Sequence, residues 1–263
     1  MSTLPTWLAS GQGGTPLVML HGMGSTASIW LPQLEHFGGK RLSVAWTMPG
    51  YGRSPALPAL SWQGLADSVG TLLDALRIDR AHILGHSIGG MVAQEFHHRH
   101  PGRVHSLILS ATSSAFGSTD AAWKEAFLRQ RTDAMRPYQH FAEAAPALLN
   151  GLMSPATPAA LRALAELSAS GIDKQRYLEA MRLLVTFDRR SDFRNIDVPV
   201  LLLAGEHDTQ APPKGMNRLA QDNTNARFQQ LPGLCHMANI ESPDAFNQAV
   251  EAFLTAQHQV IQS

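Results

Sequence analysis

The chain has one cysteine, no dominant charge and no long apolar run, and each shortage excludes a class of protein. Cys235 alone cannot form an internal disulfide framework, and it favours a reducing compartment. Lys+Arg and Asp+Glu both number 21, so nothing indicates nucleic acid or an anionic membrane as a partner. Apolar stretches such as 200–204 are far shorter than the ~20 residues that span a bilayer. Because the amino terminus also lacks a basic segment followed by an apolar one, we expect a cytoplasmic protein.

Short apolar runs alternate with longer segments of helical period along most of the chain. This rhythm is typical of an α/β fold with a mostly parallel sheet flanked by helices. Strands are predicted at 17–20, 42–47, 82–85, 104–109, 200–205 and 227–231. Helices are predicted at 62–76, 88–98, 214–222 and 243–257, the last with Ser242 as N-cap and Pro243 in its first turn.

The alternation stops between residues 115 and 195, where we find no convincing strand. Proline and glycine divide this stretch into several predicted helices. We therefore predict a helical lid at 115–195, inserted into a core domain made of 1–114 and 196–263. A lid after the fourth of these strands would cover the carboxyl edge of the sheet, where ligands of open α/β sheets bind.

A serine stands between glycines where a predicted strand meets a predicted helix. The residues are Gly85-His86-Ser87-Ile88-Gly89, which fit Gly-x-Ser-x-Gly. A turn from strand to helix within one residue strains the backbone, and the glycines keep side chains from colliding across it. Ser87 is therefore predicted to present its hydroxyl as a nucleophile at the edge of the sheet.

Such a hydroxyl needs a base that is oriented by an acid. His236, in a loop between the last predicted strand and helix, is the candidate base, and Asp208 follows the preceding strand as the candidate acid. His86 and His207 are the alternative bases, because both are adjacent to other motif residues. Cys235 would need a base and an oxyanion site of its own, so we expect it to be a small buried residue.

Two backbone N–H groups are candidates to hold the oxyanion. The N–H of Ile88 starts the helix after Ser87, where the helix dipole favours negative charge. The glycines of Leu20-His21-Gly22-Met23-Gly24 let the backbone approach a carbonyl, which places the N–H of Met23 as the second donor.

Together these motifs resemble those of the α/β-hydrolases, in the order of that superfamily. They are His21-Gly22-Met23-Gly24, Pro49-Gly50-Tyr51-Gly52-Arg53-Ser54, Gly85-His86-Ser87-Ile88-Gly89-Gly90, Gly205-Glu206-His207-Asp208, and His236 through Glu241-Ser242-Pro243. The resemblance implies an α/β-hydrolase fold with a helical lid and the triad Ser87, Asp208 and His236, without a cofactor.

A closer similarity is to the β-ketoadipate enol-lactone hydrolases and related ring-fission hydrolases of aromatic catabolism. It rests on Val92-Ala-Gln-Glu-Phe, His100-Pro-Gly-Arg-Val and the segment that follows His236. It implies a serine hydrolase that opens a small ester or lactone, most simply an enol-lactone. Hydrolysis of a C–C bond or an amide with the same triad is the alternative reaction, and a ligand-sensing receptor is the alternative of another class.

Two charged features leave questions open. His97-His98-Arg99-His100 could suggest metal ligands, but cations at a helix carboxyl end complement its dipole, so we expect a solvated face and no metal. The predicted lid has nine arginines against nine carboxylates and two lysines. One or two of these arginines could clamp a substrate carboxylate, and their spacing does not single one out. The oligomeric state also stays open.

Overall fold

The computed structural model describes residues 4–117 and 120–261. The strands of this part are β1 (Trp7–Ser10), β2 (Leu17–Leu20), β3 (Ser43–Trp46), β4 (Ala81–His86), β5 (Val104–Ser110), β6 (Val200–Gly205) and β7 (Ala226–Leu231). They form a seven-stranded sheet in the order β1-β3-β2-β4-β5-β6-β7. β1 pairs antiparallel with β3, and the other pairs are parallel.

Helices cover both faces of the sheet and fill the long connection between β5 and β6. They are α1 (Leu31–Gly38), α2 (Trp62–Ala75), α3 (Ile88–Arg99), α4 (Ala121–Met135), α5 (Phe141–Asn150), α6 (Ala159–Ser170), α7 (Lys174–Leu184), α8 (Arg190–Phe193), α9 (Pro213–Gln221), α10 (Ala238–Glu241) and α11 (Pro243–Ile261). α4 to α8 lie between β5 and β6. None of the helices in residues 4–117 and 120–261 is both long and apolar enough to span a bilayer.

Alternate residues of the central strands belong to two separate cores. Val18, Ile83 and Leu202 pack on one face of the sheet against α2 and α3. Met19 and Leu203, which follow Val18 and Leu202 in the sequence, lie on the other face and pack with α1 and α11. Because both faces are covered, the strands are continuous apolar runs, which is typical of parallel sheets.

The predicted α/β fold with a mostly parallel sheet is confirmed, and the six predicted strands are present within one or two residues. β1 and α1 were not predicted. Pro146, one of the prolines expected to divide 115–195 into separate helices, lies inside α5. The division into a core and a lid at 115–195 stays a prediction. Residues 1–3, 118–119 and 262–263 of those predicted domains lie outside the described residues.

Candidate active site

Ser87 lies in a strained turn at the junction of β4 and α3. Its φ of 53° and ψ of −121° lie in a region that residues other than glycine rarely adopt. A Cβ at Gly85 would lie 2.3 Å from the carbonyl oxygen of Gly89, and one at Gly89 would lie 2.3 Å from that of Leu20. The turn therefore requires glycine at both flanking positions, as the sequence predicts.

Neighbouring groups hold the strained peptide in place. The N–H of Ser87 donates to the carbonyl of Ser110 at 2.9 Å. The hydroxyl of Thr112 donates to the carbonyl of Ser87 at 2.7 Å, and that carbonyl also accepts the N–H of Gly90 at 2.9 Å. Sequence reasoning did not find Thr112, although its place directly after β5 could have suggested a role at this edge.

Asp208 and His236 come together at the carboxyl ends of β6 and β7. Nδ1 of His236 lies 2.9 Å from Oδ2 of Asp208. Oδ1 of Asp208 accepts the N–H groups of Gln210 and Ala211 at 2.7 and 3.0 Å. Burial acts to raise the pKa of Asp208, but the hydrogen bond and charge of His236 and these two N–H groups outweigh it, and the pKa lies below its ordinary value. Asp208 is therefore a buried, ionised carboxylate that orients His236.

The loop that carries His236 is bonded to the connection between α5 and α6. The carbonyl of Leu152 accepts the N–H of His236 at 3.1 Å. The buried carboxylate of Glu241 accepts the N–H of Cys235 at 3.1 Å and that of Ser154 at 2.9 Å. Glu241 was quoted in the sequence motif without a role, and the structure assigns it this bridge.

The two alternative bases are not bonded to the acid. The ring of His86 lies 4.9 Å from that of His236, and its buried Nδ1 has no hydrogen-bond partner among the described residues. Burial, followed by the charge of His236, lowers the pKa of His86 to about 3. His86 is therefore a neutral packed neighbour. The side chain of His207 is exposed, while its backbone N–H donates to the carbonyl of Leu234 at 2.8 Å.

The loop after β2 is held by a histidine in a defined tautomer. The N–H of Met48 donates to Nε2 of His21 at 2.9 Å, which leaves Nδ1 as the donor to the carbonyl of Gly22 at 2.8 Å. Burial lowers the pKa of His21 to about 4, although the bond to Gly22 acts in the opposite direction. A Cβ at Gly22 would lie 3.3 Å from the Cβ of Ser87, so this loop lies directly against the elbow.

The N–H groups of Met23 and Ile88 remain available to a substrate. In residues 4–117 and 120–261, neither group donates to a protein acceptor. Met23 lines the same cavity as Ser87, and Ile88 is the first residue of α3, where N–H groups have no partner within the helix. Their role as oxyanion donors stays a prediction.

Ser87 and His236 open into one cavity of about 690 Å³. Its wall is mostly apolar and includes Phe141, Leu148 and Met181 from the helices between β5 and β6. A volume of this size suits a small molecule, and a mostly apolar wall with a few polar groups is typical of ligand sites.

Two side chains differ from their sequence expectations. Cys235 is half-buried, where a buried residue was expected, and Glu241 accepts its backbone N–H. His97 is buried and lies 3.3 Å from Asp197, whereas a solvated face was predicted, because α3 packs one side against the sheet. No group of three or more potential metal ligands occurs in the part of the chain that the structure describes.

A sequence model described as the α/β hydrolase fold matches residues 15–243, which contain the whole site. The chain belongs to the α/β-hydrolase fold family. Of the curated relatives, the pimeloyl-[acyl-carrier protein] methyl ester esterase of Pectobacterium carotovorum is 32% identical, over 97% of this chain and 100% of the relative. The 3-oxoadipate enol-lactonase 2 of Acinetobacter baylyi is 28% identical, over 93% and 90%.

The chain also resembles a solved lactonase and a longer curated enzyme component. The solved enol-lactonase of Burkholderia xenovorans has 25% identity and a TM-score of 0.82, over 95% of this chain and 96% of that one. The chain spans 64% of the length of the dihydrolipoyllysine-residue acetyltransferase component of the acetoin cleaving system of Pseudomonas putida, with 31% identity. The predicted resemblance to α/β-hydrolases and enol-lactonases is confirmed, and relatives named as esterases and lactonases agree with the predicted hydrolase.

Proposed function

We propose that this chain is a serine hydrolase that cleaves a small carboxylic ester or lactone through an acyl-enzyme on Ser87. The observation that carries the proposal is the 2.9 Å contact between the buried Asp208 and His236, which lines the same cavity as the strained Ser87. A hydroxyl, an imidazole and a carboxylate in this order on this fold form a nucleophile, a base and an orienting acid.

In the acylation step, Oγ of Ser87 attacks the substrate carbonyl carbon while its proton passes to Nε2 of His236. Asp208 stabilises the imidazolium that forms, since its carboxylate is already ionised and bonded to Nδ1. The N–H groups of Met23 and Ile88 hold the oxyanion of the tetrahedral intermediate. The C–O bond then breaks, and His236 returns the proton to the leaving oxygen.

In the deacylation step, His236 takes a proton from a water molecule, and the resulting hydroxide attacks the acyl carbon. The oxyanion is held by the same two N–H groups. Collapse of the intermediate breaks the bond to Ser87, which recovers its proton from His236 and releases the carboxylic acid.

An enol-lactone of aromatic catabolism is the substrate we propose to test first. The similarity to proteins named enol-lactonases supports it. The helices between β5 and β6 supply much of the apolar wall of the cavity, which supports the proposed role of 115–195 as a lid over a compact substrate. A cytoplasmic location is part of the proposal, since the single cysteine favours a reducing compartment.

The test treats the purified chain with a fluorophosphonate and follows the intact mass. In parallel, turnover of enol-lactones and short p-nitrophenyl esters is measured. We expect one label on Ser87, fast lactone turnover, and loss of both labelling and turnover in Ser87→Ala. The matched control is Ser113→Ala, because Ser113 lines the same cavity and its hydroxyl donates to the nearby carbonyl of Ala115.

The other outcomes separate the alternative functions. Labelling of Ser87 without ester or lactone turnover would replace the proposal by a C–C or amide hydrolase, or by a receptor. A single turnover that leaves the chain acylated would favour the receptor. Turnover that survives in Ser87→Ala would refute the mechanism.

A further inference from the structure

One arginine of α4 faces the same cavity as Ser87 and His236. Arg131 lines this cavity together with Trp123 and Phe127 of its own helix. It is half-buried, and its guanidinium carbon lies 5.2 Å from the ring centroid of Phe127, a cation–π distance. The cation is therefore held against an aromatic wall that faces the reaction site.

Arg131 has donors that the protein leaves unused. Its Nε is buried and has no hydrogen-bond partner among the described residues. Its Nη2 donates to the amide oxygen of Gln210 at 3.4 Å, which is long for a hydrogen bond. The two arginines nearest to it in the sequence have a carboxylate instead: Arg129 pairs with Glu125 and Arg136 with Asp133.

No carboxylate of residues 4–117 and 120–261 forms an ion pair with Arg131. A buried donor of a charged group without a partner is costly, and an anion supplied by a ligand removes that cost. The planar guanidinium fits a carboxylate with two parallel hydrogen bonds.

The charge of the rest of the wall has the same sign. The charged side chains that line the described cavity, apart from histidine, are Arg131, Arg190, Arg194, Arg218 and a single carboxylate, Asp222. Arg190 already pairs with Asp188, and Arg194 and Arg218 are exposed. Since the whole chain has no net charge, this local excess of cations attracts anions to the cavity specifically.

We propose that Arg131 is a specificity residue that binds a free carboxylate of the substrate while Ser87 attacks an ester or lactone carbonyl at the other end. The inference rests on the proposed hydrolase function and narrows it to substrates that carry both a carboxylate and a cleavable acyl group. Arg131 takes no part in proton transfer, so its contribution is to binding.

The test uses pairs of esters of equal length that differ only in the terminal group. Mono-p-nitrophenyl glutarate and adipate carry a carboxylate, and p-nitrophenyl pentanoate and hexanoate carry none. We expect the wild-type chain to prefer the carboxylate esters in kcat/KM. Arg131→Gln should lower kcat/KM by about 10- to 100-fold for the carboxylate esters, through KM, and by less than about threefold for the neutral ones.

Two variants control for charge and fold. Arg131→Lys keeps the positive charge and should restore part of the preference. Arg136→Gln removes the same charge from the residue directly after α4, outside the cavity, and should leave the preference unchanged. Equal losses for carboxylate and neutral esters in Arg131→Gln, or a preference lost equally in Arg136→Gln, would overturn the assignment.

A binding measurement separates this inference from the proposed reaction. Monomethyl adipate and methyl hexanoate are titrated by calorimetry into Ser87→Ala and into Ser87→Ala with Arg131→Gln. Tighter binding of the carboxylate ester that depends on Arg131 supports the inference even when no ester is turned over. Equal affinity for the two esters refutes it even when Ser87 proves to be the nucleophile.

Discussion

The two histidines buried around the elbow, His21 and His86, should make the fold lose stability as the pH falls below about 6.5. Burial is the main cause that lowers their pKa values, to about 4 for His21 and about 3 for His86, whereas an unfolded histidine titrates near 6.5. Below that pH the unfolded chain binds protons that the folded chain excludes. Since protons then favour the unfolded state, the free energy of unfolding decreases as the pH decreases.

The size of the effect follows from the two pKa differences. Between about pH 6 and pH 4.5, each histidine contributes a slope approaching 1.4 kcal/mol per pH unit. At pH 4.5 the loss relative to neutral pH is roughly 2–3 kcal/mol for each group, or about 5 kcal/mol together. That is comparable with the whole stability of many domains, about 5–15 kcal/mol.

Urea unfolding at intervals between pH 7.5 and pH 4.5 measures this slope directly. His21→Gln and His86→Gln should each lower by about one the number of protons that the chain takes up on unfolding at acidic pH, whatever they do to the absolute stability. Burial also lowers the pKa of His97, so the wild-type slope contains that contribution and the comparison is between variants. A pH dependence that is the same in both variants and the wild type would refute the assignment of these histidines as neutral.

Three further predictions concern the groups that hold the site. Asp208→Asn should lower kcat by about 10⁴-fold in the esterase assay with little change in fold, and a loss below tenfold would contradict its role. Gly22→Ala should lower kcat/KM by about 100-fold because the new Cβ meets the elbow, while Gly102→Ala, with nothing within 4 Å, should not. Glu241→Gln should lower stability by about 1–3 kcal/mol in urea unfolding. It should also lower the pKa of the Cys235 thiol, which burial and then Glu241 raise, as read from thiol reactivity against pH; an unchanged profile would contradict the bridge.

The elements with a strong periodic signal were predictable. The predicted helix start at Pro243 is correct, and so are the central strands, because both their faces are buried. β1 has four residues at the sheet edge and half-exposed ends, which leaves no clear alternation. Pro146 lies beyond the first turn of α5, where its missing N–H removes a backbone hydrogen bond, and buried residues on both sides of it, such as Phe141 and Leu149, pack the helix as one element.

For the site, chain order and strand ends were sufficient to select Ser87, Asp208 and His236, two of which the structure brings within 2.9 Å. The sequence does not show which of the nine arginines in 115–195 face the cavity, because that depends on how the helices pack against one another. What distinguishes Arg131 is a buried Nε without a hydrogen-bond partner among the described residues, in the wall of the cavity, and both features depend on tertiary contacts.

Leu152 and Ser154 are bonded to the loop of His236. Substitutions on the two sides of the cavity should therefore affect the reaction differently. A substitution on the side of Leu152 and Ser154 displaces the base together with the wall, so it should change kcat and KM at once. The α4 side carries no catalytic group and makes neither of these two bonds to the loop of His236. Substitutions in α4 should therefore change KM alone. Substrate range can therefore diverge through α4 while the chemistry is conserved, and the connection after α5 should resist such change.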